Sequence, residues 1–430
     1  MARWTVHLEG GPRRVNHAAI AINSDIFSFG GYCSGDGQDQ RQFIDVHVLD
    51  TTTYRWARVQ HSNQTFNRRD AFLDVSIGND ADVGGEFSQK NEVPYQRYGH
   101  TVVGHNGKAY LWGGRNDDYG ASNLMHEFDP VTLRWRKMEI VGFIPPARDG
   151  HTAVMVNNKM FVFGGFEEEL QRFSQETYVF DFDTNRWAEF MTINTPPIWR
   201  DFHTAAAIDN KMYIFGGRSD QSGQVGDEHL FHSTNDIYDD KLMMLDLKTG
   251  KWSEVEVFGT APGGRRSHSA WVYNQKMYMF GGYLGSKNIH YNELYCFEPM
   301  TSTWSIVGCF GEYPSARRRH CTVVVGNRVF LFGGTMPSGC GNGAGNGGII
   351  PQISTSGLAD LSDMHVLDYA PTLKQLALMQ VLNQTTKQAA TEIYQGFKYL
   401  LPLDVREEMY WMTTPNKLNQ QTQQRFENFG

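Results

Sequence analysis

The chain has 430 residues, of which 44 are glycine and 13% aromatic, and a formal net charge of −8 with no basic run. Many short strands and tight turns suit that composition better than long helices, and the charge excludes the electrostatic footprint of a nucleic-acid binder. Cys33, Cys296, Cys309, Cys321 and Cys340 contain no Cys-x-x-Cys pair and read as reduced thiols of cytosol or nucleus, while no apolar run long enough for a signal or a membrane span is present.

The first predicted element is a strand, RWTVHLE, carrying Trp4 ten residues before Arg14. Six units then follow, each opening Arg-x-x-His and closing Gly-Gly: Arg14/His17 to Gly30-Gly31, Arg97/His100 to Gly113-Gly114, Arg148/His151 to Gly164-Gly165, Arg200/His203 to Gly216-Gly217, Arg265/His268 to Gly281-Gly282 and Arg317/His320 to Gly333-Gly334. The first Gly lies thirteen residues after the His in all six, and a fixed register of that kind marks a repeat architecture. Between them, alternating apolar residues flank a polar turn such as Asn157-Asn158 or Asn106-Gly107, the pattern of a hairpin.

Beyond each Gly-Gly come a variable loop, a third strand such as TYVFDFD (177–183), and a fourth strand with a Trp: Trp56, Trp135, Trp187, Trp252 and Trp304. The last unit ends in MHVLDYA without a Trp, so the Trp4 strand is expected to complete it and close a ring of six four-stranded blades over residues 2–370. The polar insertion at 60–94 and the Gly-rich stretch at 336–358 read as flexible loops, and the insert after Gly217 as a loop able to order over one face of the ring.

From Pro371 the period becomes helical. TLKQLALMQVL puts Leu373, Leu376, Ala377 and Val381 on one side, and LPLDVREEMYWM spaces Leu401, Val405 and Met409 at i, i+4, i+8, giving a small helical region over 371–412. The Gln/Asn-rich remainder, 413–430, reads as a flexible tail ending Asn428-Phe429-Gly430.

The six Arg-x-x-His…Gly-Gly…Trp units resemble kelch repeats, which implies an all-β, six-bladed propeller. The helical region resembles the boxes of ubiquitin-ligase substrate receptors: Thr372, Leu373, Leu376, Ala377 and Val381 match the elongin C box, and Leu401, Pro402, Val405 and Met409 the adjoining cullin box. Asp404 stands where the Cullin-5 type carries a second proline, which favours Cullin-2. The resemblance therefore implies a non-catalytic subunit assembled with elongin B, elongin C, Cullin-2 and a RING-box protein, in cytoplasm and nucleus.

Kelch receptors of the Cullin-2 class recognise proteins through a C-terminal glycine, and the resemblance implies the same here. The repeat Arg and His read as structural, since they recur in every blade and can satisfy backbone carbonyls. The variable residues within Arg-x-x-His and after Gly-Gly are expected at one end of the channel: Tyr98, Arg115, Asp149, Asp201, Phe202, Arg218, Arg266, Ser267, Tyr283 and Arg318. A carboxylate would be met by Arg218, with Arg266 and Ser267 beside it, and a preceding basic residue by Asp149 or Asp201. Phe429-Gly430 is itself a candidate occupant of its own or a neighbour's pocket, giving weak self-association. Two other classes fit a propeller: a copper-type enzyme, disfavoured because no His/Cys cluster has metal-like spacing and no cofactor or metal is expected, and a scaffold for cytoskeletal or chromatin partners.

Overall fold

The computed structural model describes residues 2–34, 42–60, 92–220, 236–338, 350–351, 357–383 and 401–418. Most of the insertion at 60–94, of the Gly-rich stretch and of the insert after Gly217 lies outside these residues, as do Phe429 and Gly430.

Six antiparallel sheets of at least four strands form, one per unit. The first strand, β1 (Arg3–Leu8), supplies the outer edge of the last. The innermost strands are β2 (Ala18–Ile22), β3 (Tyr98–His105), β4 (Thr152–Val156), β5 (Thr204–Ile208), β6 (Ser269–Tyr273) and β7 (Cys321–Val325). Each neighbours the next, and β7 neighbours β2, so the order closes into a six-bladed propeller. Closure runs through β1, which pairs antiparallel with β8 (Met364–Asp368), His7 opposite His365.

The core is divided into six clusters, each between two blades and each with the Trp of one outer strand. Trp135 of blade 2 packs towards Phe29 of blade 1, and Trp252 of blade 4 towards Phe163 of blade 3. Trp4, 2% exposed, meets Phe280 of blade 5 in the same way. A large flat side chain suits this place because twisted sheets packed face to face diverge towards their outer strands.

The repeat Arg and His tie blades through backbone. Arg97, Arg148, Arg200, Arg265 and Arg317 each donate from Nη1 to the first Gly carbonyl of their own Gly-Gly at 2.7–3.3 Å. The imidazoles of His151, His203, His268 and His320 pair through Nε2 with the hydroxyls of Thr101, Thr152, Thr204 and Ser269 on the preceding blade at 2.7–2.8 Å. Blade 1 lacks this hydroxyl on both sides. Ala18 stands in its place and His100 turns to the Phe29 carbonyl, while Cys321 donates to the His17 carbonyl. The Gly-Gly requirement is steric: a Cβ on Gly113 would lie 2.3 Å from the His151 ring.

Two helices follow, α1 (Leu373–Asn383) and α2 (Leu403–Thr413). Leu378, Met379, Met409 and Met412 enter the cluster of Trp56 and Phe332, so the helices cover the seam between blades 6 and 1. The expectation of a flexible tail from 413 onward is corrected over its first residues. Asn416 is buried, its amide donates to the Glu9 carbonyl at 2.8 Å, and its side chain accepts from the Trp56 amide and donates to the Tyr54 carbonyl. These are backbone groups that an edge strand would otherwise leave unpaired.

All six repeat histidines are buried, and burial pushes each pKa down, to about 3 for His17, His100 and His268. A base with a depressed folded pKa takes up its proton on unfolding, so stability present above pH 6.5 drains away as pH falls towards 3. Urea midpoints should drop steeply over that window, with a slope at pH 5 of several times about 1.4 kcal/mol per pH unit. His268→Gln should remove about one proton from that slope, and an unchanged slope would contradict the assignment.

Candidate functional site

At the Arg-x-x-His end of the blades the residue before each His adopts a left-handed conformation: Asn16, Gly99, Gly150, Phe202, Ser267 and Arg319, φ between +49° and +67°. Their backbones form a closed ring of six hydrogen bonds. Gly99 donates to Asn16, Gly150 to Gly99, Phe202 to Gly150, Ser267 to Phe202, Arg319 to Ser267 and Asn16 to Arg319, at 2.8–3.1 Å. A left-handed Phe, Ser or Arg is disfavoured in isolation; here the ring compensates it.

Around this ring each blade sets a pair of side-chain positions against one another by antiparallel bridging. The pairs are Val15/Tyr32, Tyr98/Arg115, Asp149/Phe166, Asp201/Arg218, Arg266/Tyr283 and Arg318/Thr335. The structure thus brings Tyr98, Arg115, Asp149, Asp201, Phe202, Arg218, Arg266, Ser267, Tyr283 and Arg318 to one end of the propeller.

Charge is unevenly distributed around that end. On blades 2–4, Arg218 is already engaged: its Nη2 lies 2.6 Å from Asp201 Oδ2 and its Nε 3.2 Å from Oδ1, both side chains buried. Arg115 lies 3.5 Å from Glu168. Burial pushes the Asp149 carboxyl up to about 7; Asp201 and Glu168 push the same way, against the pull of Arg115 and Arg218.

Blades 5 and 6 are basic. Arg318 is 4% exposed, sits over the Tyr283 ring at 4.0 Å, and makes no hydrogen bond through Nε or Nη1. Its pKa falls to about 10 through burial and the fields of Arg319 and Arg266. Arg319 donates to the Tyr32 hydroxyl at 2.6 Å. Among the described residues neither Arg318 nor Arg319 has a carboxylate partner. The neighbouring His290 is held neutral, its pKa down at about 3, by burial and by Arg318, Arg319 and Arg266. This half of the site presents buried positive charge with open donor capacity, the arrangement that receives a desolvated anion.

Arg319, Tyr32 and His290 were not among the sequence-derived residues. Tyr32 directly follows Gly-Gly and Arg319 directly precedes the last repeat His, so the positional rule that selects Arg218 and Ser267 also reaches them. His290 reaches the site by the pairing of Ile289–His290 with Tyr283–Leu284, which no repeat position signals.

The C-terminal helices show a second surface. Thr372 and Gln375 cap α1 reciprocally, the Gln375 amide donating to Thr372 Oγ1 at 3.2 Å and the Thr372 amide to Gln375 Oε1 at 2.9 Å. Leu373, Ala377 and Val381 are exposed, Leu373 at 86%, and Leu376 is half-buried. The cullin-box residues are differently placed. Met409 is buried and Leu401 and Val405 pack against the same cluster, leaving only Pro402 of that set outward. Their i, i+4, i+8 stripe is the apolar face of α2, and the Trp56 seam is the surface it covers. Lys374 joins the helices through Asp404 and Glu408 at 2.6 and 2.8 Å.

Residues 99–334 match the model of the KLHDC2/KLHL20/DRC7 Kelch-repeats domain, and residues 13–61 match the Kelch motif. The chain belongs to the kelch-repeat family. It is 38% identical to kelch domain-containing protein 3 of Homo sapiens, and equally to that of Bos taurus, over 97% of this chain and 98% of the relative. Human host cell factor 2 is 30% identical over 57% of this chain and 31% of its own length. None of these kelch relatives carries the name of an enzyme.

A buried guanidinium without a carboxylate costs stability that a hydrophobic side chain would not. Arg318→Met in this kelch propeller should therefore raise the unfolding free energy by about 1–2 kcal/mol, measured by urea denaturation. Destabilisation instead would show that Arg318 serves the fold.

Proposed function

We propose that this protein is the substrate-recognition subunit of a Cullin-2 ubiquitin ligase and that it binds proteins ending in glycine. The observation that carries the reading is the arginine cluster of blades 5 and 6, in which Arg318 and Arg319 have no carboxylate partner among the described residues. Arg318, Arg319 and Arg266, with Ser267 and Tyr32 alongside, offer planar, charged donors to a terminal carboxylate in a desolvated setting. Arg218 is assigned a different part. Its guanidinium serves Asp201, so it shapes the acidic half of the site rather than taking the ligand's carboxylate.

On the opposite side Asp149 and Glu168 await a basic residue near the ligand's end, which favours Arg or Lys just before the glycine. The selectivity for glycine itself follows if the last Cα packs against the side chains around the backbone ring, where a Cβ would have to displace them. No residue of the chain performs covalent chemistry in this role; ubiquitin transfer belongs to the assembled ligase.

Assembly runs through the helices. Leu373, Ala377 and Val381 form an exposed stripe at i, i+4, i+8, suited to an apolar groove such as that of elongin C, and elongin B follows with it. Cullin-2, with its RING-box protein, is met by the outward face of α2, Pro402, Leu403 and Tyr410, and not by Val405 or Met409. Free thiols and the proposed partners favour cytoplasm and nucleus.

Two measurements test the halves separately. Calorimetry with peptides ending Arg-Gly should show binding that C-terminal amidation abolishes and that Arg318→Met weakens by more than tenfold, about 1.4 kcal/mol. Binding indifferent to amidation would remove the carboxylate pocket. Co-purification with elongin B and elongin C should be lost on Leu373→Ser while peptide binding persists; a protein that never co-purifies with them leaves the scaffold reading in place.

A further inference from the structure

The seam that closes the propeller carries a cluster of ligand-type side chains that neither the repeats nor the proposed assembly uses. On and just after β1, His7 and Glu9 stand two residues apart; on and just before β8, His365 and Asp363 stand two residues apart. Alternate residues of a strand share a face, and the register places His7 directly opposite His365. Two short segments at opposite ends of the propeller thus present two imidazoles and two carboxylates together.

The ligand atoms of His7, Asp363 and His365 all lie within 4.8 Å of one another. His365 Nε2 is 3.1 Å from Asp363 Oδ2, and His7 Nε2 is 4.0 Å from the same oxygen and 3.3 Å from Glu9 Oε1. The ligand-to-ligand edge of a tetrahedral zinc site with bonds of 2.0–2.1 Å is about 3.3 Å, so modest side-chain adjustment brings four donors onto one ion. The His7 side chain is 7% exposed, and its Nε2 points into this cluster between Glu9 and Asp363.

The surroundings resemble the outer shell of a metal centre. His7 Nδ1 pairs with Glu312 at 2.8 Å, which fixes the tautomer that leaves Nε2 free to coordinate. Arg317 grips Asp363 through Nη1 and Nη2 at 2.7 and 2.6 Å, orienting the carboxylate. The two imidazoles stack at 4.2 Å, and Trp4 lies edge-on to His365. Three carboxylates, Glu9, Asp363 and Glu312, face the Arg317 guanidinium; against burial, hydrogen bonds to Glu312 and Glu9 raise the His7 pKa to about 9, and a bound dication would take the place of that proton. Mixed nitrogen and oxygen donors in a site this enclosed suit zinc over calcium or magnesium.

We propose that His7, Glu9, Asp363 and His365 bind a zinc ion that staples the closing strand to the last blade. Each strand contributes two ligands, so the ion cross-links residues more than 350 positions apart in the chain. Its role is structural. It acts on the one blade whose outer strand is not covalently continuous with the rest of its sheet.

The test uses the full-length, tag-free chain, stripped of metal by chelator and dialysed. Zinc should bind at one ion per chain and raise the melting temperature. Cobalt(II) at one equivalent should give the intense visible d–d bands of a four-coordinate site with nitrogen and oxygen donors. His7→Gln should abolish those bands and the thermal shift, and Glu312→Gln should weaken binding about tenfold or more. If His7→Gln fails to fold, Glu9→Gln serves in its place, since the Glu9 side chain is half-exposed and its backbone carbonyl keeps its bond from the Asn416 amide; it should also weaken binding about tenfold. Absence of stoichiometric binding, six-coordinate cobalt spectra, or binding undiminished in these variants would overturn the proposal.

Discussion

The closed circuit of six backbone hydrogen bonds, from Asn16 through Gly99, Gly150, Phe202 and Ser267 to Arg319 and back, is the constraint on which the rest of the molecule depends. Each member donates to the preceding blade and accepts from the next, so no blade can tilt without breaking two bonds. The left-handed residue that makes the circuit possible sits between the repeat Arg and His. That local geometry aims the preceding side chain to the site and the following His into the interface with the blade before. Spacing, fold and site are therefore one requirement seen at three scales.

That coupling explains how much was legible in the sequence. The thirteen residues from His to Gly are the length of a hairpin whose ends must return to the same place, because Gly-Gly packs on the next blade's imidazole. A steric demand of this kind leaves a fixed register, and the six blades could be counted from it. Trp4 was legible by elimination: five outer strands carried their own Trp and one did not. The site was legible only as positions. Asp201 and Arg218 were recognisable as site residues, but their mutual pairing depends on bridging between two loops, and nothing in either motif shows it. Periodicity likewise located the apolar stripe of Leu401, Val405 and Met409 without showing that the Trp56 seam occupies it.

The seam between blades 6 and 1 differs from the other five. Like the seam between blades 1 and 2 it lacks the interblade His–hydroxyl pair, and it alone depends on β1 for its outer strand and receives α1, α2 and Asn416 as cover. An interface weakened at its inner edge is reinforced at its outer one. This arrangement also makes the helices part of the propeller rather than an appendage on a linker, so a partner held on α1 would have a defined position relative to the arginine-lined end of the ring. In the proposed role of presenting one macromolecule to another, such rigidity would limit the geometries that a bound substrate can sample.

The charge distribution at the ring end opposes stability. A fold selected only for stability would pair Arg318 with a carboxylate, as it pairs Arg148 with Glu167 and Arg317 with Asp363 in the same class of environment. Four buried repeat arginines, Arg148, Arg200, Arg265 and Arg317, have such partners, whereas Arg97 stacks on Tyr95 instead. Among the described residues Arg318 and Arg319 are without one, and burial together with the field of the cluster keeps His290 neutral, so positive potential is concentrated at this end of the ring. In the proposed binding mode an incoming carboxylate would replace repulsion among guanidinium groups with charge-assisted hydrogen bonds, and the free energy withheld from folding would become available to binding.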